Sequence, residues 1–211
     1  MSTVAAPPEQ RVVLHDVSWV TYERLLAERG DGSVPRFTYD RGVLEIMSPG
    51  TPHERLDILV VHMVGALAEG WGVDVAGLGH LTYRHPEWER GFEPDGCFYV
   101  RDVAAIRGRT EVDAQVDPPP DVVVEIDISR SSIRKLGIFA QFGVPEVWRH
   151  DGDRATILVL DEGEYRDVEA GTAFPLLTAD AMTRILAAGA ETPLPRWLAD
   201  TRAWATAAAR S

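Results

Sequence analysis

Residues 118–148 read PPPDVVVEIDISRSSIRKLGIFAQFGVPEVW, and this stretch decides the fold. Three prolines precede the β-branched run 122–124, which predicts a strand that is buried on both faces. Because successive side chains alternate across a strand, Val123, Glu125 and Asp127 share one face. A carboxylate in so apolar a run costs free energy unless it is paired or binds a metal ion. We therefore expect the two acids to point the same way, towards a partner.

The strand is followed by a predicted helix that starts at Ser131 or Ser132 and ends at Gly143. Lys135 falls inside the apolar stripe of this helix, and all other residues among the 21 lysines and arginines are arginine. A compact ammonium can shift its pKa and contact a water or phosphate oxygen, which a guanidinium does less readily. The alternative is that Lys135 only extends past the edge of the core.

The composition suits a single globular domain, with 211 residues of which 45% are hydrophobic and 26% charged. No apolar run approaches the ~18–20 residues that span a bilayer. The first residues lack the basic start and apolar core of a signal peptide. Cys97 is the only cysteine and cannot form an internal disulfide, which fits a reducing compartment. We therefore expect a cytoplasmic protein without membrane attachment.

Periodicity and turn signals predict one mixed β-sheet flanked by helices, preceded by an N-terminal helix and hairpin. We divide the chain into a flexible tail at 1–11, one α/β domain at 12–190 and a helical extension at 191–211. The elements expected in order are a helix to Arg29, a hairpin over 36–47, a long helix capped by Thr51, a strand over 92–100, a meander over 146–168, and helices over 178–188 and 195–209.

The net charge of −12 argues against a general nucleic-acid coat protein, which would be basic. It does not exclude an enzyme that approaches nucleic acid with one local basic face. The arginines that could form such a face are Arg101, Arg107 and Arg109, and separately Arg130 and Arg134.

Three more residues could join the two acids of the central strand. Asp95 lies between a proline and a glycine, where the backbone bends and presents the carboxylate, although Pro-Asp-Gly is also ordinary turn chemistry. Glu45 interrupts the apolar pattern of the second hairpin strand, which a wet edge strand would explain equally well. His53 lies in the first turn of the long helix, where the helix dipole disfavours protonation, and a local hydrogen bond is an equal alternative.

Asp95 and Glu125 on adjacent strands would converge at one edge of the sheet. Together with the carbonyl of Ile126 they would supply three oxygens to Mg²⁺ or Mn²⁺ and leave room for water and phosphate. Asp127 and Glu45 could add a second ion, because paired metal ions lie about 3.5–4 Å apart. The predicted chemistry is metal-assisted hydrolysis of a phosphodiester.

The ammonium of Lys135 would stabilise or deprotonate the attacking water and offset the phosphate charge. Two alternatives remain open. One is a protein that keeps the fold without catalysis and serves in binding or assembly, and the other is a metal-dependent hydrolase of a small phosphoester.

Four ordered motifs resemble the Uma-type family of bacterial "putative restriction endonucleases", and the resemblance covers roughly residues 18–186. The motifs are GVLEIMSPGTPHERL at 42–56, EPDGCFYV at 93–100, PPPDVVVEIDIS at 118–129 and RKLGIFAQFGVPEVW at 134–148. The resemblance implies a restriction-endonuclease-like α/β core of the PD-(D/E)XK nuclease-like superfamily. It also implies a nucleic-acid substrate, DNA more than RNA, and a homodimer.

By this resemblance Asp95 belongs to the PD element and Glu125 is the second acid. The simplest superfamily pattern places a lysine two residues after that acid, where this chain has Asp127. The lysine is displaced to the next helix as Lys135, where the family also has one. The remaining matches to family positions are Glu45 and His53.

Overall fold

The computed structural model describes residues 9–109, 112–128 and 135–210. Its strands form two sheets rather than one. The five-stranded sheet contains, in spatial order, β1 (Gln10–Leu14), β3 (Val43–Ser48), β2 (Arg36–Asp40), β6 (Arg90–Phe92) and β5 (Tyr83–His85). The six-stranded sheet contains, in spatial order, β11 (Glu164–Val168), β10 (Ala155–Asp161), β9 (Glu146–His150), β8 (Val122–Ile126), β7 (Gly96–Tyr99) and β4 (Ala76–Gly77).

Only β8 and β9 pair in parallel within the described chain, so the six-stranded sheet is the mixed one. The predicted meander is confirmed, since β9, β10 and β11 are antiparallel neighbours. The helices are α1 (Trp19–Arg29), α2 (Thr51–Trp71), α3 (Val103–Ile106), α4 (Lys135–Gln141), α5 (Ala179–Glu191) and α6 (Leu194–Ala208), with a 3₁₀ turn at Pro86–Trp88. No described helix has the length and apolar character needed to cross a membrane.

The helix ends follow local chemistry. Ser18 caps α1, because its hydroxyl accepts from the Thr21 N–H at 3.2 Å. Thr51 was predicted to cap α2, and this is wrong: Gly50 is the cap residue, and no side chain bonds the first turn. The predicted caps of α4 at Ser131 and Ser132 lie outside the described residues.

The alternation predicted for β8 is confirmed by its packing. Val122, Val124 and Ile126 join the core cluster formed with α2, α5 and α6. Val123 joins the cluster on the opposite face, which α4 covers with residues such as Phe139. Glu125 shares the face of Val123, so the strand directs its carboxylate towards α4.

The single strand predicted over 92–100 is wrong. The chain leaves the five-stranded sheet at Phe92 and enters the six-stranded sheet at Gly96. Pro94 lies at this crossing, where its missing N–H ends the ladder of the first sheet. The N–H of Asp95 already bonds to the Val124 carbonyl at 3.1 Å. The crossing therefore places Asp95 beside β8, between the two sheets.

The C-terminal helix packs into the main core. Trp197 and Ala205 of α6 belong to the same cluster as Leu67 of α2. A β-carbon added at Gly70 would lie 2.7 Å from the β-carbon of Ala205, so the absence of a side chain lets the two helices approach closely. The division of the chain at residue 190 stays a prediction.

We expect Gly70→Ala to destabilise the protein by about 1–3 kcal/mol, because the added methyl group pushes α6 away from α2. Gly65 is the matched control, since a β-carbon there meets no atom within 4 Å. Gly65→Ala should stabilise the same helix by about 0.5–1 kcal/mol. Urea denaturation of both variants measures the difference, and equal effects would contradict the close approach of the helices.

Candidate active site

Glu125 from β8 and Lys135 at the start of α4 form a buried ion pair. The Lys135 Nζ donates to Glu125 Oε2 at 2.6 Å. Lys135 is only 8% exposed and Glu125 only 3%. The ammonium therefore lies in the interior against the predicted second acid, and not in solvent past the edge of the core.

Asp95 meets this pair from the crossing between the sheets. Its Oδ2 accepts from the Ile126 N–H at 2.6 Å, next in sequence to Glu125. Its Oδ1 lies 3.2 Å from Nε2 of His53 and contacts a guanidinium nitrogen of Arg36. The structure thus brings together four of the predicted catalytic residues, Asp95, Glu125, Lys135 and His53. The Ile126 N–H bonds to Asp95, and the role of the Ile126 carbonyl as a metal ligand stays a prediction.

Arg36 was missed by the sequence analysis although it lies at the centre of the site. The residue is 2% exposed. Besides Asp95, its guanidinium reaches His80 Nε2 at 3.2 Å, Glu54 at 3.3 Å and Asp57 at 3.6 Å. One arginine therefore contacts carboxylates from α2 and from the crossing segment.

The hairpin register carries a signal that could have found Arg36. Thr38 pairs with Glu45, and Arg36 lies two residues before Thr38. Residues opposite each other, or two apart on one strand, share a face. Arg36 and Glu45 therefore lie on the same face of the hairpin, away from the apolar residues that pack on α1.

Glu45 and Asp127 form a second group that is joined by arginines. The Arg11 Nη1 of β1 donates to Glu45 Oε1 at 2.7 Å, and Nη2 lies 3.8 Å from Asp127 Oδ1. The Arg149 Nε donates to Asp127 Oδ2 at 2.9 Å. Arg11 was also missed, because it lies in the segment 1–11 that was expected to be a tail, whereas the structure places it in β1. The roles assigned to Glu45 and Asp127 stay predictions.

The two principal acids have opposite pKa shifts. Burial alone would raise the pKa of Asp95, but the hydrogen bond from His53 and the charge of Arg36 hold it below its usual range. Burial raises the pKa of Glu125 to about 8, against the opposing effect of Lys135. Burial lowers the pKa of Lys135, but the charges of Glu125 and Asp95 outweigh it and raise that pKa. The site therefore holds one carboxylate with a lowered pKa beside one with a raised pKa.

The donor atoms fit a hard cation only in part. Within residues 9–109, 112–128 and 135–210, no three His, Cys, Asp or Glu side chains are grouped to hold a metal ion. Arginine and lysine side chains already form ion pairs with the acids of the site. However, Oε1 of Glu125 and Oδ1 of Asp127 are buried and accept no hydrogen bond from this part of the chain. Such oxygens are the ligands that Mg²⁺ and Mn²⁺ prefer, so Glu125 and Asp127 fit the ion, and Asp95 would have to leave Arg36 to join them.

The surface arginines considered for nucleic-acid contact are paired with aspartates. Their partners are Asp121 for Arg101, Asp74 for Arg107 and Asp117 for Arg109. These three residues therefore do not form a free basic face. Arg130 and Arg134 lie outside the described residues.

Comparison with known proteins identifies a family and a fold. A model of the Uma2 family, described as "Putative restriction endonuclease", matches residues 19–188. The chain is also similar to the crystal structure of a "putative nuclease belonging to DUF820" from Anabaena variabilis ATCC 29413, with a TM-score of 0.56 and 14% identity over 81% of this chain and 99% of that chain. At this identity the likeness shows the fold alone, and it confirms the predicted fold class. No curated protein matches the chain.

We expect Arg36→Met to lower the free energy of unfolding by about 3–5 kcal/mol, because it leaves buried carboxylates without their counter-ion. Adding Asp95→Asn to this variant should recover part of the loss, since one of the uncompensated charges is then gone. The control is Arg41→Met at an exposed arginine, with an effect within about 0.5 kcal/mol. Denaturation of the four proteins tests this, and a small loss in Arg36→Met would contradict the role of Arg36 as the central counter-ion.

The raised pKa of Glu125 predicts how stability depends on pH. The pKa of Glu125 is 4.5 in the unfolded chain and about 8 in the folded protein. Between these two pH values the folded protein keeps a proton on Glu125 that the unfolded chain has released. Glu125 therefore makes stability fall as pH rises through this window. Burial also raises the pKa of Asp57, but only to about 6, so the range from pH 6.5 to 8 reports on Glu125.

Glu125→Gln should flatten the fall in stability between pH 6.5 and 8, whereas Glu164→Gln at an exposed strand position should not. Thermal denaturation across this range measures the slope. An identical slope in wild type and Glu125→Gln would show that Glu125 does not hold the proton.

Proposed function

This chain belongs to the Uma2 family, and on that premise we propose that it is a nuclease that hydrolyses phosphodiester bonds with the help of Mg²⁺ or Mn²⁺. The proposed substrate is nucleic acid, DNA rather than RNA, and the proposed active species is a homodimer. The observation that carries the proposal is the buried ion pair of Lys135 with Glu125, whose second oxygen has no partner among the described residues.

Glu125 and Asp127 would hold the metal ion through the oxygens that accept no hydrogen bond within the described chain, with the Ile126 carbonyl and a released Asp95 as further ligands. When bound, such an ion lowers the pKa of a water molecule and stabilises the leaving oxygen. Carboxylates outnumber cations around these residues, since Glu45, Glu54 and Asp57 add to the acids already named (their cations are Arg11, Arg36, Lys135 and Arg149). A site with excess negative charge favours a divalent cation.

The protein side chains would supply the remaining chemistry. Lys135 would orient the attacking water and offset the charge that develops on the phosphate, because its Nζ is fixed by Glu125 and keeps other protons to donate. His53 would hold the carboxylate of Asp95 in place through Nε2. Glu45 would act indirectly, by positioning Arg11 beside Asp127.

A protein that retains the nuclease fold without catalysis is the second candidate. It is favoured by the ion pairs that occupy the predicted ligands, above all Arg36 on Asp95 and Arg149 on Asp127. Hydrolysis of a small phosphoester is a further alternative to nucleic acid and uses the same residues.

We expect the purified protein to cleave supercoiled plasmid or single-stranded oligonucleotides in the presence of Mg²⁺ or Mn²⁺. Glu125→Gln and Lys135→Met should each lower the rate by about 100-fold or more, because Glu125 would hold the metal ion and Lys135 would act on the attacking water and the phosphate. Glu164→Gln should leave the rate unchanged. Cleavage that survives in Glu125→Gln would reveal a contaminating nuclease, and binding of metal without any cleavage by wild type would favour the second candidate.

A further inference from the structure

A cavity of about 580 Å³ adjoins the candidate active site and takes no part in the chemistry above. It is lined by the first residues of α2, by Ile128 after β8, by the turn after β9 and by α5. Pro52 lines the cavity, and the next residue, His53, contacts Asp95 on the other side. The Asp127 N–H bonds to the His150 carbonyl at 2.8 Å, so the strand ends that carry the acids also form the cavity wall.

The lining combines a broad apolar wall with a polar end. Leucine and alanine side chains of α2 and α5 and the exposed Ile128 form the wall. His150, Asp151 and Asp153 form the polar end, and Arg55 stands at the rim. A nucleobase has the same division, with apolar faces and a polar edge, and the volume is within the range of small-ligand pockets.

His150 is held as a hydrogen-bond donor towards this cavity. The residue is 6% exposed, and its Nδ1 accepts from the Gly152 N–H at 3.0 Å. The ring proton is therefore on Nε2, which bonds to no described residue. Burial also lowers the pKa of His150, which favours the neutral ring. A buried side chain that lines a cavity and has a donor nitrogen without a partner among the described residues points to a ligand.

Two further features suit a nucleotide. No side chain caps the first turn of the 21-residue α2, so the N–H groups of Thr51 and His53 suit a phosphate. Pro52 between them has no N–H, and the N–H of Glu54 bonds to the Gly50 carbonyl.

Asp151 supplies a hydrogen-bond acceptor. Its Oδ1 accepts from the N–H groups of Asp153 and Arg154, which leaves Oδ2 to accept from a ligand. A carboxylate acceptor beside an imidazole donor matches the edge of a nucleobase, on which an N–H donor adjoins a carbonyl or ring-nitrogen acceptor.

We propose that this cavity binds an unpaired nucleobase of the substrate strand. The proposal rests on the nuclease function proposed above and makes it more specific. A base in a duplex is stacked and paired, and it reaches such a cavity only after it has left the stack. The substrate is therefore a single strand or a duplex with an unpaired nucleotide next to the cleaved bond.

Ala187→Trp tests the cavity, and Ala188→Trp is its matched control. Both alanines are exposed on α5, but only Ala187 lines the cavity. The first tryptophan should fill the space where the base binds, whereas the second should point elsewhere on the same helix. Circular dichroism verifies that both variants fold.

Binding of dCMP and dUMP, measured by calorimetry without metal, gives a readout that needs no cleavage. We expect dCMP and dUMP to bind wild type, Ala187→Trp to weaken the binding of both about tenfold or more, and Ala188→Trp to change it less than twofold. Equal binding to the two tryptophan variants, or no binding to wild type, would overturn the cavity assignment.

Cleavage of single-stranded and bulged oligonucleotides with Mn²⁺ separates the two proposals. A selective loss of at least about tenfold in kcat/KM for Ala187→Trp over Ala188→Trp supports the base site in the enzyme. Cleavage by wild type that both variants retain would leave the nuclease proposal intact and reject the base site. Nucleotide binding that Ala187→Trp abolishes, in a wild type that cleaves nothing, would keep the cavity assignment for a free nucleotide and reject the nuclease.

Discussion

The cost of burying charge governs this structure. Glu125 and Lys135 are removed from water together, and neither is tolerable there alone. The same requirement explains the other pairs, because Arg36 and Arg11 come from the five-stranded sheet while Asp95 and Asp127 belong to the ends of strands in the six-stranded sheet. These ion pairs bridge the two sheets and hold the candidate site between them.

The sequence predicted the parts of the site that depend on local pattern. Alternation in β8 fixes the direction of Glu125, and the isolated lysine in an apolar helical stripe identifies Lys135 as its buried partner. Local pattern does not show which strands pair. A run such as 92–100 reads as one strand, because nothing in it indicates that Pro94 marks a change of sheet.

Arg36 was not predicted from the sequence, for the same reason. As the first residue of a short strand it resembles a solvated end, and its burial follows only from contacts with residues 17 to 59 positions away in sequence. Arg11 likewise depends on the pairing of β1 with β3. Residues that neutralise a site from other elements are visible only once the topology is known.

The arrangement of charges in the site determines which carboxylates a metal ion could bind. Arginine and lysine side chains contact these acids but are fewer than the carboxylates, and one oxygen each of Glu125 and Asp127 accepts no hydrogen bond from the described residues. A divalent ion would therefore compete with Arg36 for Asp95. Glu125 and Asp127 each have an oxygen that accepts no hydrogen bond from the part of the chain described and could bind the ion directly. The cavity behind the first turn of α2 would place a substrate base next to the same acids.

Crystals soaked in Mn²⁺ and measured at the manganese absorption edge test the central claim most directly. Our account predicts an anomalous peak bonded to Glu125, with Lys135 still beside that carboxylate. Diffraction that places manganese elsewhere, or none at all while the Lys135–Glu125 and Arg36–Asp95 pairs stay closed, would contradict it.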